Sequence, residues 1–278
     1  MKDNKFIFSS DIHGNEIQLS KLFKFALKNK IFNIVLGGDL CPKDIAHRTV
    51  LDQGIFLNKL ITLAKEHSKI KVYLILGNDD FRANEFIVKE NRYITYINLK
   101  KTKFIKGFYI LGCSFIPPTP FKFKDWEIWD TQNKQEDTLR GNFITKGITS
   151  LKEKFIDFDF NVLSHKKNIY SLLIKNTKNI NFNKTIFVIH TPPYKTNIDI
   201  CKTKEHVGSL GVRKFIEEKQ PLLSLHGHIH EACEMSSTYY DVLKKTLVIN
   251  SCNDYLNDNV ALVVIEINKK IKHTRLLI

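Results

Sequence analysis

The chain has 278 residues, of which 43% are hydrophobic and 26% charged, a balance that supports a large buried core and excludes disordered, collagen-like and mucin-like chains. Its formal net charge of +14 favours anionic partners, yet only six of the 43 basic residues are arginine and the lysines are spread throughout, so a solvated surface is favoured over a nucleic-acid partner. No apolar run approaches the ~18 residues of a membrane span, and five scattered cysteines without a CxxC pair fit a reducing, cytoplasmic setting better than a disulfide framework or a thiolate zinc site.

Residues 5–9 read as a strand, and Leu19, Leu22, Phe23 and Ala26 then fall at helical spacing. A strand at 33–36, a helix carrying Phe56, Leu60, Leu63 and Ala64, and a strand at 72–76 complete a β-α-β-α-β run. After a strand at 108–113, Pro117, Pro118 and Pro120 break any ladder, so residues 114–160 read as an inserted loop or cap region. Its aromatic residues, Phe121, Trp126 and Trp129 among them, fit a gate over a substrate, packing on the main core, or contact with a second subunit. A helix over 166–178, a strand at 185–189 and a helix over 209–219 follow, the last with Ser209 as N-cap and Pro221 beyond its end. Strands at 222–225, 247–249, 260–265 and 272–276 complete a β-rich tail. With no linker or low-complexity boundary, residues 1–278 read as one α/β domain of two similar halves.

Polar residues gather where these strands stop. Asp11 and His13 follow the first strand, Gly38-Asp39 the second, Gly77-Asn78 the third, His190 the strand at 185–189, and Gly227-His228-Ile229-His230 the strand after it. In open α/β sheets the carboxyl ends of strands form the crevice where ligands bind, so segments distant in sequence converge there. Two carboxylates, one amide oxygen and four imidazoles can supply two divalent ions if one carboxylate bridges. Manganese, iron, zinc and nickel all remain open to this donor set. Extended backbone sends residues i and i+2 to the same side, which lets both an Asp-x-His and a His-x-His pair face one centre. Gly38, Gly77 and Gly227 are read as sharp turns beside the cluster.

The ordered set resembles the calcineurin-like metallophosphoesterase superfamily, whose pattern runs Asp-x-His, Gly-Asp, Gly-Asn-His-Asp/Glu, His, Gly-His-x-His. All five blocks occur in order between Asp11 and His230. The resemblance implies a four-layer α/β/β/α sandwich of two mixed sheets, with a dinuclear site on one edge of the paired sheets. It further implies Asp11, His13, Asp39 and His230 around one metal, Asp39, Asn78, His190 and His228 around the other, and Asp39 as the bridge. The departure is Gly77-Asn78-Asp79-Asp80, in which Asp79 stands where the family usually has a histidine assigned to leaving-group protonation. Members that lack this histidine remain phosphoesterases, which implies that the metals can carry the reaction. The segments His190-Thr191-Pro192-Pro193-Tyr194 and His206-Val207-Gly208-Ser209 are similar to a prokaryotic branch of small phosphoesterases.

The expected activity is hydrolysis of a phosphomonoester or phosphodiester by a metal-bound hydroxide. A nuclease or RNA phosphodiesterase on the same site, and a metal-binding scaffold without catalysis, are the rival readings. Asp79 is read first as a cap for a helix after Phe81 and second as a catalytic acid. His206 is read first as a surface histidine before a helix and second as the source of the missing proton. His226 is read as a strand-end histidine outside the ligand set.

Overall fold

A computed structural model describes residues 4–44, 48–105, 107–137 and 142–278. Strand and helix alternate through the first part as β1 (Lys5–Ser9), α1 (Glu16–Lys28), β2 (Asn33–Gly37), α2 (Val50–Glu66), β3 (Lys71–Ile75), α3 (Glu85–Lys89) and β4 (Ile94–Tyr96). The short β5 (Thr102–Lys103) and β6 (Tyr109–Cys113) lead into a segment that holds α4 (Lys134–Asp137) and a hairpin of β7 (Lys146–Leu151) and β8 (Lys154–Asp159). The remainder comprises α5 (Ile169–Asn176), β9 (Thr185–Ile189), α6 (Leu210–Lys219), β10 (Leu223–His226), α7 (Ala232–Ser236), β11 (Tyr240–Leu243), β12 (Thr246–Asn250), β13 (Ala261–Ile267) and β14 (Ile271–Leu277).

The helix starts follow from local chemistry. Asn15 caps α1 by accepting from the Gln18 amide, Thr49 does the same for α2 from Asp52, and Ser209 caps α6 from Val212, as expected. The helix expected over 166–178 is shorter because Asn168 and Ser171 exchange side-chain and backbone bonds in a capping box, which sets its start at Ile169.

Two mixed six-stranded sheets result, in the orders β14-β13-β1-β2-β3-β4 and β11-β12-β10-β9-β6-β5. The inner strands pair in parallel, and β13, β14, β11 and β5 run antiparallel to their neighbours. Alternation along β1 sends Ile7 to one face, against Leu22 and Phe23 of α1, and Phe6 and Phe8 to the other. On that second face Val35, Tyr73 and Ile75 meet Ile186, Val188 and Leu225 of the second sheet, so the two sheets share an apolar interior. The second sheet's outer face packs Phe187 and Ile189 on Leu173, Val212 and Phe215 of α5 and α6. The layers are therefore α/β/β/α.

The segment over 114–160 differs from an inserted loop. It contains the β7–β8 hairpin, its Trp126 and Trp129 are fully buried, and residues 138–141 within it lie outside the described residues. The Trp126 indole donates to the Asp80 carbonyl at 2.7 Å and the Trp129 indole to the Leu163 carbonyl at 2.8 Å. Lys124 and Glu127 form an enclosed ion pair at 2.8 Å, with the Lys124 ammonium also on the Thr119 carbonyl. Sequence alternation misses β4, β5 and β11 because each is short and sits at or beside a sheet edge, where burial imposes little pattern. No helix among the described residues is long and apolar enough to cross a membrane.

Candidate metal centre

The crevice lies at the carboxyl ends of β1, β2, β3, β9 and β10, and its geometry begins in the backbone. Asp11, His13, Asp39 and His228 all have positive φ, at 56°, 44°, 51° and 70°, which costs a residue with a side chain about 1–3 kcal/mol each. Such conformations persist only where surrounding bonds over-determine them. The Asp11 amide donates to the Gly38 carbonyl and the His13 amide to the Asp39 carbonyl, both at 2.9 Å, which ties the first loop to the second. The Gly227 amide reaches the His190 carbonyl at 2.9 Å and joins the other two loops. Gly38, at φ 97°, is a left-handed turn as expected. Gly77 and Gly227 serve differently, because they leave room: a Cβ on Gly77 would stand 2.3 Å from Asp39 Oδ1, and one on Gly227 would stand 2.5 Å from Asp11 Oδ2.

The side chains close into two overlapping groups. Ligand-type atoms of Asp11, His13, Asp39 and His230 all lie within 4.8 Å of one another, as do those of Asp39, His190 and His228, and Asp39 belongs to both sets. His13 Nε2 stands 3.1 Å from His230 Nε2, His230 Nε2 stands 3.3 Å from Asp11 Oδ1, and His190 Nε2 stands 3.2 Å from Asp39 Oδ2. Asn78 Oδ1 is 3.1 Å from His190 Nε2, so all seven residues expected to hold metal are brought together. His190 Nδ1 faces the Gly37 carbonyl at 2.8 Å, the outer partner that leaves Nε2 free for the crevice.

The electrostatics favour positive charge at the centre. Burial works to raise the Asp11 carboxyl, but His230 outweighs it and the pKa falls to about 2. Burial likewise opposes ionisation of Asp39, and His190 overcomes it, holding that carboxyl well below its usual range. Burial disfavours charge on His190, yet Asp39 draws its imidazole up to about 9. Burial and the neighbouring His190 push His228 down to about 3. Two enclosed, ionised carboxylates facing converging imidazole nitrogens, with two like nitrogens 3.1 Å apart, form a donor set that fits divalent cations.

One expectation fails. Asp79 caps no helix: the turn after it starts from Phe81 and α3 from Asn84, neither through an aspartate side chain. Its carboxylate instead lies beside the crevice, bonded to the Arg48 guanidinium and 3.7 Å from Lys43 Nζ. His206, in the loop before α6, has its Nδ1 2.7 Å from Asp199 Oδ1, while its neighbours Glu205 and Val207 line the cavity. His226 ends β10, its Nδ1 facing the Ile189 and Thr191 carbonyls at 2.9 Å.

Other members of the site escape sequence reading. Asp80 accepts the Gly77 amide at 2.8 Å and the Cys41 amide at 2.7 Å, which braces the loops that carry Asn78 and Asp39. Its only sequence signal is the acidic fourth position of the Gly-Asn-Asp-Asp block. Asn253 holds the Asp11 carbonyl at 2.9 Å, and Asn250 holds the Gly227 and Ile229 carbonyls, with no motif to announce either. A cavity of about 600 Å³ opens over the cluster. Lys43 forms part of its wall, and Pro117, Pro118, Pro120 and Phe121 of the inserted segment line it from the other side. The segment thus both lines the cavity and buries its tryptophans in the protein.

A model of the calcineurin-like phosphoesterase family matches residues 4–232. Among solved structures, the TT1561 protein of Thermus thermophilus is similar with a TM-score of 0.56 at 18% identity, over 98% of each chain. A dimetal phosphatase from Danio rerio is similar with a TM-score of 0.59 at 10% identity, over 100% of this chain and 99% of that one. At such identities the likeness is one of fold. No curated protein matches the chain by sequence.

Proposed function

Because the chain belongs to the calcineurin-like phosphoesterase family, we propose that it hydrolyses a phosphate monoester or diester with the help of two divalent metal ions. The observation that carries this reading is the convergence of ligand atoms from four strand ends into two groups that share Asp39, with Asn78 from a fifth 3.1 Å from His190. Asp11, His13, Asp39 and His230 would hold one ion, and Asp39, Asn78, His190 and His228 the other. When bound, such ions polarise the phosphoryl oxygens and make water a nucleophile at neutral pH. Manganese or iron suits the mixed oxygen and imidazole donors, with zinc or nickel as alternatives.

The chain's own residues supply the rest. Asp39 takes the Asp79 amide on Oδ1 at 2.7 Å, which fixes the carboxylate while Oδ2 faces His190. Lys43 places a positive charge in the cavity wall, where it attracts an anionic ester. Pro117, Pro118, Pro120 and Phe121 offer an apolar surface to the leaving group and exclude water from that side. The cavity volume suits a small-molecule ester. We read residues 114–160 as the cap of one phosphoesterase domain spanning 1–278, and five free cysteines support a reducing, cytoplasmic setting.

The test is hydrolysis of p-nitrophenyl phosphate, bis-p-nitrophenyl phosphate and a wider phosphoester panel by manganese-loaded protein. Activity that a chelator removes and manganese restores is the expected result. Equal inertness of the loaded protein and of Asp39→Asn across the panel sinks the reading.

A further inference from the structure

Resting on the metal-dependent reading above, we propose that Asp79 is a positioning residue whose carboxylate accepts the Nδ1–H of His13, fixing the imidazole tautomer that presents Nε2 to the metal cluster. The His13 side chain is wholly enclosed. Its Nε2 points into the cluster, 3.1 Å from His230 Nε2 and 3.8 Å from Asp39 Oδ2. Its other nitrogen, Nδ1, is buried and has no hydrogen-bond partner. A neutral imidazole carries one proton, and a nitrogen that ligates a metal must offer its lone pair, so the proton belongs on Nδ1. A buried N–H of that kind requires an acceptor.

Asp79 Oδ2 is the carboxylate oxygen that faces Nδ1, at 3.9 Å. A shift of about 1 Å closes that separation to an ordinary hydrogen bond. Two cations hold the carboxylate: Arg48 bonds Oδ1, and Lys43 Nζ lies 3.7 Å from Oδ2, the oxygen that also faces Nδ1. Both cations are themselves seated on rings, Arg48 4.2 Å above Phe123 and Lys43 4.2 Å above Tyr255. Tyr255 in turn meets the His13 ring edge-on at 4.5 Å and the His230 ring at 5.4 Å. A carboxylate pinned between two cations and an orphaned imidazole nitrogen is placed to accept a proton-bearing group. This outer-partner role differs from the proton donation usually assigned at this position, and it accounts for an acidic residue there.

The test reads metal binding in the absence of substrate. Manganese affinity is measured by competition with a fluorescent chelator for the wild-type chain, Asp79→Ala and Asp79→Asn, with folding of each checked by thermal melting. Asp79→Ala should weaken manganese binding by about 10–100-fold, the range typical of lost outer partners, while Asp79→Asn, which keeps an acceptor oxygen, should restore most of it. In the zinc-loaded wild-type protein, ¹⁵N spectra of labelled histidine should show His13 protonated at Nδ1, a measurement that stands even if a variant fails to fold. Unchanged manganese affinity in folded Asp79→Ala, or His13 protonated at Nε2, overturns the proposal. Failure of the wild-type chain to take up metal overturns both this inference and the reading beneath it. Metal binding that responds to Asp79 as described, in a protein that cleaves no phosphoester, upholds this inference and removes only that reading.

Discussion

In the crevice every expected ligand sits one to four residues beyond the end of a buried strand, so the sheets carry it into place. In the segment over 114–160 the described secondary structure is one hairpin and one short helix, yet Trp126, Trp129, Lys124 and Glu127 are as enclosed as the ligands. Trp126 bonds the distant Asp80, and the other partners lie within the segment or just beyond it: Trp129 packs on Phe160 and His165, Lys124 pairs with Glu127, and Asp125 accepts the Ser150 amide of β7. One region borrows its order from the sheets, while the other makes its own from aromatic packing and satisfied polar groups. The contrast teaches that an irregular segment can be as fully built as an edge ordered by sheets, provided that its buried polar groups find partners.

Substitutions can break this contrast or sharpen it. The largest effect belongs to the crevice: Asp39→Asn removes the carboxylate common to both ligand groups and should lower phosphoester hydrolysis by roughly 10³-fold or more in a manganese-loaded chromogenic assay. In the insertion, Trp129→Ala should cost about 3–5 kcal/mol in denaturant unfolding while leaving manganese affinity of the folded protein unchanged. If that variant lost metal as well, the two regions would be one cooperative unit rather than two differently ordered ones.

Glu127 sharpens the comparison through pH. Burial pushes its carboxyl up to about 7 against the pull of Lys124, from an ordinary value of 4.5. The folded chain therefore holds more protons at this group than the unfolded chain does between pH 4.5 and 7, so its contribution to stability falls as pH rises across that window. Glu127→Gln should lack this decline when unfolding free energies at pH 4.5 and pH 7 are compared with those of the wild-type chain. The smallest effect is expected at His206, which leans on Asp199. His206→Gln should change kcat/KM by about twofold or less and stability by about 1 kcal/mol. A fall in kcat of roughly a hundredfold would give His206 the catalytic role that is its second reading.

The halves of the fold were legible because their strands are short apolar runs and their helices have clean periodicity, and the candidate ligands stood out because each follows such a run in an order that resembles a known family. Reading along the chain failed where the decisive partner lies elsewhere. Asp79 resembles a cap on local grounds, and only the approach of Arg48 and His13 shows it facing the crevice. Asp80, Asn250 and Asn253 brace the site through backbone groups that carry no residue signature. The short strands β4, β5 and β11 gave too few alternating residues to stand out.

Composition and order along the chain determined the α/β class and the donor types at the strand ends, because strand ends, caps and periodicity depend on neighbours in sequence, whereas Asp39 as the shared carboxylate came from the family resemblance and from the folded geometry. The tertiary structure decided which nitrogen of His13 faces the cluster, which cations grip Asp79 and which side chains line the cavity. These are contacts between segments up to 217 residues apart, as for His13 and His230, and they exist only once two sheets have packed face to face.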